Sequence, residues 1–229
     1  MEADDSSQAG TLGLIPEAFY DLLAILVPGL VVLCFAYYGP KNPWLPVPAT
    51  LGEGAVHILA AYLVGHMLSV ASIQVVARLA NRLHGSPRAM LIEANGRQPI
   101  LPGARPFRPV LNDAFRHLLR KRMTNLWKLP DDALDGQLCY ELCRTYVAAR
   151  HAERTRFIRK EQAYGELFRS LTLVGVLLVP ASIFASCGWI ALLGVAMAAG
   201  SWIRYLSARF TEATLMYLAF FALTGTENG

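Results

Sequence analysis

Hydrophobic and polar positions along this chain separate into blocks rather than alternating. Four blocks are nearly free of charge: Phe19 to Tyr38, broken only by Asp21; Gly54 to Ala77; Ser170 to Cys187; and Trp189 to Ile203. Crossing ~30 Å of hydrocarbon takes about 20 apolar residues in a helix. The first two blocks supply that length outright, and the last two do so with Leu167, Phe168, Tyr205 and Leu206 included. The pattern therefore predicts an all-α polytopic membrane protein with spans at 17–38, 53–78, 167–187 and 188–206. A tail (1–16) precedes the first span and a Pro-rich external loop (39–52) follows it. A mainly helical cytoplasmic insert (79–166) separates the second and third spans, and a helix with a tail (207–229) follows the fourth. That last helix is expected to continue the fourth span into the cytoplasm and pack on the insert; a fifth span within it is the alternative, but its apolar run is short.

Composition sharpens this picture. The 229 residues are 54% hydrophobic and 17% charged, against about 25% charged in a soluble domain. The net charge of +4 hides an asymmetry: 18 of the 21 Lys and Arg lie between Arg78 and Arg169, beside nine carboxylates. The positive-inside rule then places the insert and both termini in the cytoplasm of an inner membrane. Glu2, Asp4 and Asp5 at the start are the reverse of a basic signal-peptide n-region, so the first span is expected to be retained. Cysteines at 34, 139, 143 and 187 are too scattered for a disulfide framework.

Within the insert, prolines and glycines from 85 to 111 forbid a long helix. Asn95-Gly96 suggests a hairpin turn between short strands at 89–94 and 98–101. A helix follows Asn112-Asp113. Another is expected to start at Pro130-Asp131-Asp132 and to continue through 137–150 to Phe168, a stalk entering the third span.

Candidate chemistry sits at the membrane boundary and within the spans. Glu17 and Asp21 share a helix face at the level of Arg78, Arg169 and Arg204, which predicts interhelical ion pairs. Tyr62, His66 and Ser69 form an intramembrane polar patch, expected either to bond another helix or to line a wet path. Pro28-Gly29 and Pro180 are expected to loosen their helices. Gly194 with Ala198, and Ala196 with Gly200, permit close helix contact. Arg116, Arg120, Lys121 and Arg122 form a basic surface for anionic headgroups or a cytoplasmic protein, and their thin aromatic interleaving argues against nucleic acid.

The chain carries no HExxH, Walker A, GxSxG or GxGxxG motif, and no cofactor is expected. Cys139 and Cys143, with His151 further on, are read as small core residues rather than metal ligands. The layout of four short spans and a compact cytoplasmic insert resembles that of small bacterial membrane proteins in defence or stress modules. This likeness carries over no residue role. The expected function is that of a non-enzymatic, self-associating membrane protein coupling a cytoplasmic partner or ligand to a membrane event. An ion- or proton-conducting oligomer is one alternative. A lipid-modifying enzyme built from His57, His66 or Glu53 is another.

Overall fold

A computed structural model describes residues 5–38, 48–92, 113–130 and 135–226, and all regular structure among them is helical. The helices are α1 (Asp5–Tyr38), α2 (Leu51–Ser72), α3 (Arg78–His84), α4 (Pro87–Ile92), α5 (Asp113–Trp127), α6 (Gly136–Arg150), α7 (Ala152–Phe184) and α8 (Gly188–Thr226). A five-residue π-helical segment, Ile73–Ala77, joins α2 to α3. Among the described residues four helical stretches are long and apolar enough to cross a membrane: Phe19–Tyr38, Leu51–Ile92, Thr155–Phe184 and Gly188–Gly225.

The chain forms two compact units. The first comprises 1–78 and 163–205, the second 79–162 and 206–229, and α7 and α8 each supply residues to both. In the first unit, α2 turns a stripe of Ala61, Gly65, Leu68 and Ser72 inward. Its other side, with Leu59, Leu63, Met67 and Val70, is more than half exposed. Large apolar side chains on the outside are what a helix facing lipid presents. The start of α2 is fixed locally by a capping box: Glu53 N–H donates to Thr50 Oγ1 (3.2 Å), and Glu53 Oε2 accepts from Thr50 N (3.3 Å) and Ala49 N (2.7 Å).

Glycines decide how closely the spans approach. A Cβ on Gly29 would lie 1.8 Å from Ala61 O, and one on Gly65 would lie 1.9 Å from Ile25 O. Gly29 is thus a helix-contact position within the unbroken α1, and Pro28 beside it is fully buried. Pro180 likewise lies inside an unbroken α7. Of the two small-residue pairs in α8, Gly194 and Ala198 meet Gly175 of α7, whereas a Cβ on Gly200 would have nothing within 4 Å. The α7–α8 turn falls at residues 185–187, with Ser186 in the left-handed region at φ 54.

The second unit is a small helical core of Leu91, Leu119, Met123, Cys139, Tyr140, Cys143, Val147, Tyr217 and Phe220. Two expectations are corrected here. The first proposed strand is helical through Ile92, because Pro87 pre-sets a helical first turn and Leu91 and Ile92 bury themselves on one side of it; residues 93–101 lie outside the described residues. The stalk does not run on from α6: His151 adopts φ −145, ψ 88 and separates α6 from α7. Residues 131–134 are likewise outside the described residues, and α6 is capped by Asp135, which accepts from Gln137 N (2.6 Å) and Leu138 N (2.8 Å). By contrast, α8 is one helix of 39 residues, roughly 58 Å at the usual rise, so 207–226 continues the helix of the fourth span.

Candidate functional site

The inner stripe of α2 ends at Ser72, fully buried immediately before the π-helical segment. Its hydroxyl donates to Ser69 O (2.7 Å) and accepts from Arg169 Nε of α7 (2.9 Å). π-Helical turns recur at functional sites because they interrupt the regular i→i+4 ladder. Arg169 is therefore engaged by a hydroxyl. Among the described residues no ion pair joins Asp21, Arg78, Arg169 or Arg204, and Asp21, Arg78 and Arg204 are exposed. The side chain of Glu17 lies outside the described residues.

Tyr62 and His66 meet edge to face, ring centroids 4.7 Å apart, with His66 exposed on the outer side of α2. Ser69 contributes its carbonyl to Ser72. His57 bonds through Nδ1 with Glu53 O (2.6 Å) and lies against Tyr37 (5.3 Å). Nine residues of helix separate it from His66 by ~13 Å, and the Glu53 carboxylate is held in the capping box. The geometry does not bring these three groups together.

The basic cluster of α5 divides. Arg122 donates from Nη1 to Phe221 O (2.6 Å) and Thr224 Oγ1 (3.2 Å), and its guanidinium lies over the Phe221 ring at 3.7 Å. It thereby adds a donor to a carbonyl near the end of α8 that also accepts from Thr224 Oγ1 (3.2 Å). Arg116 pairs with Asp113 (3.2 Å). Lys121 is exposed and Arg120 half-buried.

A second polar cluster escaped the sequence reading. Tyr140 of α6 donates to Glu212 Oε1 of α8 at 2.5 Å. Arg88 of α4 lies over the Tyr140 ring (4.0 Å) and within 3.7 Å of Glu212 and 3.6 Å of Glu141. Tyr217 donates to Arg88 O (3.0 Å). Three helices are tied through one carboxylate. The available signal was Glu212 itself, the only acidic residue between Trp189 and Gly225; an acid in an apolar run calls for a named partner.

Burial, and then the charge and hydrogen bond of Glu212, push the Tyr140 hydroxyl above its ordinary value of 10. The folded state therefore keeps this proton while the unfolded chain releases it near pH 10. Stability from this group is fully present below pH 10 and falls as pH rises above it. Denaturant titrations from pH 8 to 11 are expected to show this loss, and Tyr140→Phe to reduce the slope; an equal slope in the variant would exclude Tyr140 as its source. The same burial raises the Cys143 thiol, with Cys139 adding to the effect. Neither buried cysteine is a ready nucleophile, and among the described residues no cluster of His, Cys, Asp or Glu could hold a metal.

Comparison of the chain with protein-family models, with curated proteins and with solved structures gives no match.

Proposed function

We propose that the protein is a non-enzymatic, multi-pass inner-membrane protein that self-associates through its spans. In this reading it couples a cytoplasmic partner or ligand, received by the basic insert, to an event in the membrane, as a sensor, effector or anchoring subunit. The observation that carries the reading is the continuity of α8, which places Ile190, Gly194 and Tyr205 in one compact unit and Met216, Tyr217 and Phe220 in the other. A ligand that displaces Tyr217 or Phe220 therefore acts on a helix that also contributes residues to the spans. The charge asymmetry supports cytoplasmic termini.

Self-association is supported by His66, a polar group at mid-span on a lipid-facing side. An interhelical hydrogen bond at such depth is worth about 1 kcal/mol. His66→Leu is accordingly expected to raise the dissociation constant of the oligomer about fivefold, read by energy transfer between labelled copies in vesicles. A protein that stays monomeric at every density would overturn the self-association. The conducting alternative draws on the same residue: steady proton flux in proteoliposomes, abolished by His66→Ala, would replace the coupling reading by a channel.

A further inference from the structure

Arg169 stands at the junction of a polar and an apolar stretch of α7, one residue before the charge-free block that begins at Ser170. Its side chain is half-buried, and its only bond among the described residues is the one from Nε to Ser72. A guanidinium has five N–H donors in a planar fork, so both terminal nitrogens are left without an acceptor among the described residues. No carboxylate among the described residues opposes them. The bonding of Ser72 is directional: its proton is committed to Ser69 O, which leaves its oxygen lone pair to Nε. The hydroxyl thus fixes the orientation of the fork, and Ser72 is in turn held by its complete burial ahead of the π-helical segment.

A fork held at Nε presents its paired terminal N–H groups to an acceptor with two oxygens at matching spacing, which is the geometry of a phosphate. An unpaired guanidinium at the edge of the hydrocarbon is costly, and lipid phosphates lie at that depth. Arg78 and Arg204, exposed and without an ion pair among the described residues, belong to the same unit and add positive charge, against Asp21 and Glu166, the latter one turn before Arg169 on α7. We propose that Arg169, oriented by Ser72, is a binding site for a phosphate group, supplied by the headgroup of an anionic phospholipid. The proposal rests on α7 crossing the membrane and does not require self-association, so a monomer that retains the lipid would sink the oligomer and leave this site standing.

The test uses the full chain in detergent micelles, with bound lipid counted by native mass spectrometry and affinity read by thermal shift. Three probes are titrated: phosphatidylglycerol, a diacylglycerol lacking phosphate, and inorganic phosphate. Phosphatidylglycerol is expected to bind and diacylglycerol not. Arg169→Gln should weaken phosphatidylglycerol about tenfold or more, since it removes a charge-assisted pair of hydrogen bonds. Arg169→Lys keeps the charge without the fork and should also bind more weakly. Ser72→Ala leaves the arginine in place but unoriented, and a several-fold loss is expected. Arg169-dependent binding of inorganic phosphate at equal affinity would support the phosphate site while assigning it to a soluble source. Unaltered phosphatidylglycerol affinity in folded Arg169→Gln or Ser72→Ala would overturn the proposal, as would equal binding of diacylglycerol.

Discussion

Gly65→Ala, the smallest change available at that position, is expected to cost roughly 3 kcal/mol and to lower the melting temperature of the extracted protein by about 6–12 °C. The reason is reciprocal backbone contact. Ile25 and Gly29 are four residues apart on α1, and Ala61 and Gly65 are four apart on α2. Gly29 faces the carbonyl of Ala61 while Gly65 faces that of Ile25, the cross-pairing of an antiparallel helix pair. An added Cβ would sit 1.9 Å from Ile25 O and 2.8 Å from its carbonyl carbon. Those atoms are backbone and have no rotamer through which to retreat, so the helices must separate along the whole contact. In lipid that separation is serious, because close packing rather than hydrophobic exclusion holds spans together. Gly29→Ala should behave alike. Gly200→Ala serves as the control: its Cβ enters open space, and a neutral or slightly stabilising effect is expected. A Gly65→Ala protein melting within two or three degrees of the parent would show that the two helices do not approach this closely.

The notch also shows where reading the sequence succeeded and where it stopped. Long charge-free runs are legible because a bilayer imposes a length, and the turn near Ser186–Gly188 is legible because it interrupts such a run. Gly29 is visible as a glycine, but its partner is on another helix, so the Pro28-Gly29 pair reads as a flexible point when Gly29 is a contact. Depth in the membrane is likewise encoded in one dimension, which is how Arg169 can be placed at a boundary. The direction in which its side chain reaches is not so encoded, and it meets Ser72 rather than a carboxylate. The break at His151 carries no Gly or Pro signal. There the packing of Cys139, Tyr140, Cys143 and Val147 fixes α6 and overrides the good helix formers that follow. At 89–92, hairpin-like spacing lost to the same kind of tertiary demand, the burial of Leu91 and Ile92.

Glu212→Ala is expected to be the most damaging single change in the second unit, at about 2–4 kcal/mol. The Glu212 side chain is 14% exposed, and it bridges the Tyr140 hydroxyl and the Arg88 guanidinium. Removing it leaves a buried hydroxyl without its acceptor, at about 1–3 kcal/mol. It also strips a half-buried cation of its better-shielded partner, an effect that reaches 3–5 kcal/mol only for fully buried pairs. Arg88 would keep Glu141, but that carboxylate is 45% exposed, and pairs so placed contribute about 0–1 kcal/mol. Glu141→Ala should therefore be nearly silent, which separates the two carboxylates that touch the same arginine. Glu212→Gln, retaining an oxygen acceptor for Tyr140 without the charge, should fall between. A double-mutant cycle with Tyr140→Phe isolates the shared bond: the double variant should be more stable than the sum of the single losses implies by about 1–2 kcal/mol. Strict additivity would mean that Tyr140 and Glu212 do not act together. A coupling of the expected size would make this carboxylate a point through which α4, α6 and α8 hold one another, beside the Tyr217 hydroxyl that reaches Arg88 O.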